Sequence, residues 1–160
     1  YEQVFTDAAA FEEVEMDDTL IQTIRDQLDQ EGYKAQSIEE VMRAEDQSGE
    51  TLGYAFTVVT SEGYGGDIQF SMGVQNDGTL NGISILSIGE TAGLGMNADT
   101  PAFKDQFVGK QVEKLQYTKN GATQDDEINA ISGATVTTNA MTNGVNAGLC
   151  AFRVMEGGDQ

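Results

Sequence analysis

The run Asp67-Ile68-Gln69-Phe70-Ser71-Met72-Gly73-Val74, followed by Gln75 and then by Asn76-Asp77-Gly78-Thr79-Leu80, decides the fold. Its apolar, aromatic and β-branched positions predict a strand over residues 67–74. Asn76-Asp77-Gly78 predicts a tight reversal, because these residues tolerate the backbone angles of a hairpin turn. A returning strand then follows over residues 80–88. Toward the N-terminus, residues 62–66 supply another turn, residues 52–60 a strand rich in aromatic and β-branched side chains, residues 46–50 a turn, and residues 38–44 an imperfectly alternating strand. Parallel strands need crossovers of a dozen residues or more, and none of these connections is long enough. Four strands therefore read as an antiparallel meander.

Helical signals flank it. Asp18 or Thr19 is placed to cap a helix that runs through Gln30, with Leu20, Ile21, Ile24 and Leu28 on one face and Gly32 at its stop. Residues 1–18 are acidic with scattered apolar side chains and read as an arm, extended or poorly ordered, outside a domain over residues 19–156. After the meander, residues 89–99 form a loop. Thr100 as N-cap and Pro101 at the first helical position predict a short helix to about Val108, stopped at Gly109. Residues 112–118 read as a strand and Lys119-Asn120-Gly121 as a turn. Met141, Val145, Leu149 and Phe152 recur at helical spacing, which predicts a last helix over about residues 138–155, capped by Thr138 or Asn139, with residues 156–158 fraying. The expected class is α+β: a curved antiparallel sheet with flanking helices.

The chain has 160 residues, with 27 acidic against 8 basic side chains and a net charge of −19. Nucleic-acid phosphates need lysine and arginine, so nucleic acid is excluded as a partner. An anionic membrane surface is equally unsuited to so acidic a skin. The acid excess reads as solvation, with steering of basic partners as its functional version. No histidine is present and Cys150 is the one cysteine, so neither an intrachain disulfide nor a Ser–His or Cys–His nucleophile can be built. Cys150, beside Leu149, reads as a small buried hydrophobe. The acidic pairs Glu12-Glu13, Asp17-Asp18, Glu39-Glu40 and Asp125-Asp126 lack the spacing of a calcium loop, and no metal site is expected. No apolar run reaches the length of a membrane span. The chain begins at Tyr1 without an initiator methionine and reads as a fragment or a mature form.

The chemistry is carried by two stretches. Ser132-Gly133-Ala134-Thr135-Val136-Thr137-Thr138 leads into the last helix, where free backbone N–H groups and the positive end of the helix dipole suit a phosphate. By composition alone a capped helix with a polar lead-in explains it as well. Gly93-Leu94-Gly95 brings backbone within close reach of a ligand, or is simply a loop between a strand and a helix. Gly93, Gly95 and Ala98 also fit a dinucleotide fingerprint. That reading fails because the next helix starts too late and the preceding strand belongs to an antiparallel meander. Tyr64, between glycines, is a turn tyrosine or a ligand contact.

Taken together these stretches resemble the FMN-binding domain family. Its members include the G subunit of Rnf-type electron-transport complexes and the C subunit of sodium-pumping NADH:quinone oxidoreductases. Ser132-Gly133-Ala134-Thr135 resembles the family's flavin attachment motif, Glu90-Thr91-Ala92-Gly93-Leu94-Gly95 its Glu-Thr-Pro-Gly-Leu-Gly loop, and Gly63-Tyr64-Gly65-Gly66 a third segment. The three stand in the family's order, and the likeness runs from about Gly63 to Phe152. It implies FMN joined through its phosphate to the hydroxyl of Thr135 by a separate flavin transferase that takes FMN from FAD. It implies further contacts from Ser132, Gly133, Ala134, Val136, Thr137, Thr138, Glu90, Thr91, Gly93, Leu94, Gly95 and Tyr64. Leu94 would lie on a face of the flavin ring, and Glu90 and Thr91 would reach its polar atoms.

The role so implied is electron relay in a membrane ion-translocating redox complex rather than self-sufficient catalysis. The flavin domain would stand on the extracytoplasmic face of a bacterial membrane, next to other subunits, anchored by an N-terminal helix that this chain does not include. Two other functions remain open at this point: a free-standing flavin reductase of a small acceptor, and a cofactor-free extracellular binding module. Three positions depart from the family's pattern. Asn129 stands where aspartate is common six residues before the threonine, Ala92 where proline is usual, and Ile88 where histidine is common.

Overall fold

The computed structural model describes residues 4–90 and 93–158. A five-stranded sheet has the order β1-β2-β3-β4-β5, formed by Ala10–Glu13, Gln36–Glu45, Thr51–Gly63, Gly66–Gln75 and Leu80–Ser87. Every neighbouring pair is antiparallel, so the expected meander stands. The turn at residues 76–79 returns the chain from β4 to β5: the Gly78 N–H donates to Gln75 O at 2.8 Å, and the Thr79 N–H to the Asp77 carboxylate at 3.0 Å.

The fifth strand corrects the reading of the N-terminal arm. β1 pairs with β2 in the register Ala10↔Glu45 to Glu13↔Met42. Ahead of it, Val4 and Phe5 are buried in a cluster with Ala44 and Ala55 on the sheet face away from the main core. Glycine makes this possible. A Cβ at Gly53 would stand 2.9 Å from the Phe5 ring, and one at Gly73 would stand 2.6 Å from Val4 O. Bare backbone is the bed on which the arm lies, and hydropathy patterns cannot see it.

The opposite face carries the main core. Tyr54, Phe56, Val58, Ile68, Phe70 and Met72 share it with Met141, Val145, Leu149 and Phe152 of the last helix, α3 (Thr135–Gly158). Helix α1 (Asp18–Glu31) packs against α3. Asp17, one residue before the expected cap, accepts from the Leu20 N–H at 2.8 Å, and Gly32 closes the helix at φ 89°. The inward stripe is Leu20, Ile24 and Leu28; Ile21, expected on that face, is 48% exposed. Arg25 secures the following connection by donating to Tyr33 O and Gln36 O, both at 2.7 Å.

The segment between β5 and α3 is less regular than expected. A 3-10 turn over Gly95–Asp99 precedes α2 (Pro101–Lys104), and a second over Asp105–Phe107 replaces the rest of the expected helix. The expected strand over residues 112–118 shrinks to β6 (Gln116–Thr118), which pairs in parallel with β7 (Glu127–Asn129). Leu115 takes its hydrogen-bond partners from a side chain of α3 instead of a ladder. β7 takes in Glu127, next to the acidic pair Asp125-Asp126.

Candidate functional site

Helix α3 begins at Thr135, three residues before the expected cap. Gly133 adopts φ 72°, a left-handed conformation that glycine enters without penalty, and the chain turns sharply there. The Ala134 N–H donates to Ile131 O at 3.0 Å, and the Thr138 N–H closes the first helical bond on Ala134 O at 3.0 Å. Thr138 therefore lies inside the first turn. Its hydroxyl accepts from the Ile131 N–H at 3.0 Å and donates to Ala134 O at 2.9 Å, which locks the lead-in to the helix. Asn139 is likewise within the helix.

This geometry leaves the N–H groups of Thr135, Val136 and Thr137 without acceptors inside the helix. The same three residues line a cavity of about 520 Å³ together with Tyr64, Leu94, Gly95, Gly133 and Ala134. Each of those eight positions was singled out from the sequence, and three segments distant in the chain supply them. A volume of several hundred Å³ is that of a small-molecule site. None of the lining residues is lysine or arginine, so an anion bound there would rest on backbone N–H groups and the helix dipole.

Glu90 joins the three segments from behind. Its side chain is 8% exposed and does not line the cavity. One carboxylate oxygen accepts from the Tyr64 N–H and from the Thr137 hydroxyl, both at 2.7 Å; the other accepts from the Gly65 N–H. These internal hydrogen bonds engage both oxygens of the carboxylate that was expected to reach the polar atoms of a bound ring. Leu94 is 42% exposed and sits against Gly133, where an added Cβ would come within 3.0 Å of it. Tyr64 is 76% exposed at the β3–β4 turn. Gly93 lies outside the lining and holds Asn97 through its carbonyl at 3.1 Å. Thr91 falls outside the described residues, as does Ala92.

Ser132 points the site in a second direction. It lines a neighbouring cavity of about 500 Å³ with Asn97, Thr100, Phe103, Gln106 and Asn129. There Gln106 grips the backbone of Asn129: its carbonyl accepts from the Asn129 N–H at 2.7 Å, and its amide donates to Asn129 O at 3.3 Å. The Asn129 side chain accepts from the Ala122 N–H at 2.6 Å. The part played by Gln106 left no mark in the sequence, since an isolated glutamine in a short helix carries no pattern. Just before Asn129, Glu127 gathers the N–H groups of Thr123 and Gln124, which hold its carboxyl below the usual carboxylate range. Ile88, at the position where the family often has histidine, packs against the core.

The profile described as "FMN-binding domain" matches residues 63–149. The G subunit of the Na(+)-translocating ferredoxin:NAD(+) oxidoreductase complex of Acetobacterium woodii is 36% identical over 108 residues, covering 66% of this chain and 52% of that protein. The G subunit of the ion-translocating oxidoreductase complex of Methanosarcina acetivorans is 34% identical over 113 residues, covering 70% and 57%. The chain spans about half the length of these curated relatives. Two solved structures share the fold. NqrC of Shewanella oneidensis matches with a TM-score of 0.61 at 21% identity, over 74% of this chain and 59% of that one. The C subunit of the Na(+)-translocating NADH-quinone reductase of Parabacteroides distasonis matches with a TM-score of 0.60 at 24% identity, over 72% and 61%. The expected class, an antiparallel sheet with flanking helices, is the one these structures share.

Proposed function

The chain belongs to the FMN-binding domain family, and from that premise we propose that it is the flavin-carrying electron-transfer domain of a membrane ion-translocating redox complex of Rnf type. FMN would occupy the cavity at the start of α3, joined through its phosphate to Thr135. The residues present fit the group. Gly95 and Gly133 are among the residues that line the cavity, the helix start supplies N–H donors of the kind a phosphate needs, and the volume suits a small cofactor.

One observation carries the choice of Thr135. Of the three threonines in the motif, it is a cavity-lining residue whose hydroxyl has no hydrogen-bond partner among the described residues. The Thr137 hydroxyl is donated to Glu90, and that of Thr138 is buried against Ala134. With no histidine in the chain, nothing nearby activates Thr135 as a nucleophile. Attachment therefore calls for a flavin transferase. The threonine oxygen would bond to the flavin-side phosphorus of FAD, the diphosphate bond would break, AMP would leave, and the hydroxyl proton would pass to solvent. Thr135 is then a tether, which removes the translational cost of holding the cofactor and prevents its loss where no flavin pool surrounds the protein.

Bound flavin supplies one- and two-electron redox chemistry; the chain supplies attachment, orientation and exclusion of water. This reading puts the domain on the extracytoplasmic face, next to other subunits of the complex. No helix among the described residues is long and apolar enough to cross a membrane.

Intact mass and visible spectra after co-expression with a flavin transferase test the proposal. Wild type should gain the mass of one FMN with flavin absorbance, and Thr135→Ala should gain neither. Absence of any gain in wild type, together with no binding of added FMN, would overturn it.

A further inference from the structure

The Glu90 side chain touches all three segments of the cavity wall, and its surroundings are built to fit it. A Cβ at Gly65 would stand 2.7 Å from the Glu90 carboxylate and 2.3 Å from Gly89 O. A Cβ at Gly95 would stand 2.6 Å from Glu90 Cβ and 2.6 Å from the Thr137 hydroxyl. The Glu90 side chain thus lies between two glycines, its carboxylate against Gly65 and its stem against Gly95, each lacking the Cβ that would crowd it. Three donors converge on it: the N–H groups of Tyr64 and Gly65, and the Thr137 hydroxyl.

We propose that Glu90 is a positioning residue: it clamps the Tyr64-Gly65 turn to the first turn of α3 and so fixes the width of the cofactor cavity, without touching the cofactor. This rests on the FMN reading above for the identity of the ligand. The geometry requires an acceptor with two bare oxygens. Glutamine keeps the size, yet in either orientation its amide nitrogen faces a backbone N–H, because Tyr64 and Gly65 donate to different oxygens. One clamp bond is then replaced by a donor-to-donor contact. Aspartate keeps the charge and falls one methylene short. The consequence is carried by Tyr64, whose exposed ring stands at the cavity mouth on the turn that Glu90 holds.

The test uses the flavin-free domain, purified without the transferase, as wild type, Glu90→Gln, Glu90→Asp and Gly65→Ala. Two quantities are read: amide hydrogen exchange at Tyr64 and Gly65 before FMN is added, and the dissociation constant for added FMN. Exchange at Phe70 and Met72 in β4 reports whether each variant is folded. We expect exchange at Tyr64 and Gly65 to rise on the order of ten-fold or more in Glu90→Gln, as for loss of a hydrogen bond to a charged group, with β4 protection intact. FMN binding should weaken in parallel, and Gly65→Ala, which crowds the Gly89 backbone as well as the carboxylate, should weaken it too. Unchanged exchange in a folded Glu90→Gln would overturn the clamp. Faster exchange with unchanged FMN affinity would overturn its role in the cavity. Failure of wild type itself to bind FMN would instead remove the function proposed above, and this role with it.

Discussion

Asn146 and Leu115 are joined by a reciprocal pair of hydrogen bonds: the Leu115 N–H donates to Asn146 Oδ1 at 2.7 Å, and Asn146 Nδ2 donates to Leu115 O at 2.9 Å. Both residues are 2% exposed. The carboxamide on α3 replaces the strand partner that a backbone at this depth would otherwise need. Asn146→Leu keeps the volume and removes both partners, leaving a buried N–H and a buried C=O unpaired. Each such group costs about 1–3 kcal/mol, so the variant should lose roughly 2–6 kcal/mol in urea denaturation. A loss under 1 kcal/mol would mean that water reaches Leu115.

Gly144 sets how closely α3 approaches the sheet. An added Cβ would stand 2.8 Å from the Phe70 ring, and Phe70 is fully buried. Alanine gains about 1 kcal/mol of helix propensity over glycine, yet overpacking a buried ring costs about 1–3 kcal/mol. Gly144→Ala should therefore be neutral to destabilising despite the better helix former, and Gly144→Val clearly destabilising. Combining Gly144→Ala with Phe70→Leu should recover part of the loss in thermal unfolding. Strictly additive effects would show that the two sites do not touch.

How much of this was legible in the sequence depends on where each element draws its partners. The meander was readable because its turns are local chemistry: Asn76-Asp77-Gly78 and Gly63 to Gly66 place strand ends within a residue or two. The inward face of α3 was readable from periodicity alone. What failed was whatever depends on a distant partner. β1 was invisible because its pairing surface and the glycine bed under Phe5 lie in other strands. The strand expected over residues 112–118 was cut short because Leu115 pairs with a side chain. At the site, the three motifs include the eight residues that line the cavity, while the internal hydrogen bonds of Glu90 left no mark, because a carboxylate in a glycine loop gives no sign of what it faces. The start of α3 was misplaced because Thr138 resembles a cap in sequence, while Gly133 turns the chain earlier.

Cys150 should be chemically silent in the native protein. Its thiol is fully buried and donates to Glu31 at 3.2 Å, and burial above all, then the neighbouring carboxylate, push its pKa up to about 12. Reactivity follows the thiolate. A disulfide reagent at pH 8 should modify Cys150 at the rate of global unfolding in native protein and at once in denaturant. The sign of the linkage follows from the raised value. The folded state keeps the proton more tightly than the unfolded state, so this contribution to stability is complete below about pH 9 and is lost as pH rises toward about 12. Cys150→Ala should flatten that alkaline decline in thermal unfolding; an unchanged decline would assign it to other groups.

Asn129 offers a test of attachment that leaves the fold alone. Its side-chain oxygen accepts from the Ala122 N–H at 2.6 Å, and its backbone is gripped by Gln106. Aspartate supplies the same acceptor in the same place and adds a charge on an exposed side chain, six residues before Thr135. Asn129→Asp should therefore unfold within about 0.5 kcal/mol of wild type, as exposed substitutions generally do. If a flavin transferase reads a carboxylate at this position, the variant should acquire FMN faster than wild type in a time course of intact mass with purified transferase and FAD. Gln106→Ala should act in the opposite direction, since it releases the segment that presents the motif. Equal rates for Asn129→Asp and wild type would show that the amide serves recognition as well as the acid, and that this departure from the family's pattern costs the chain nothing.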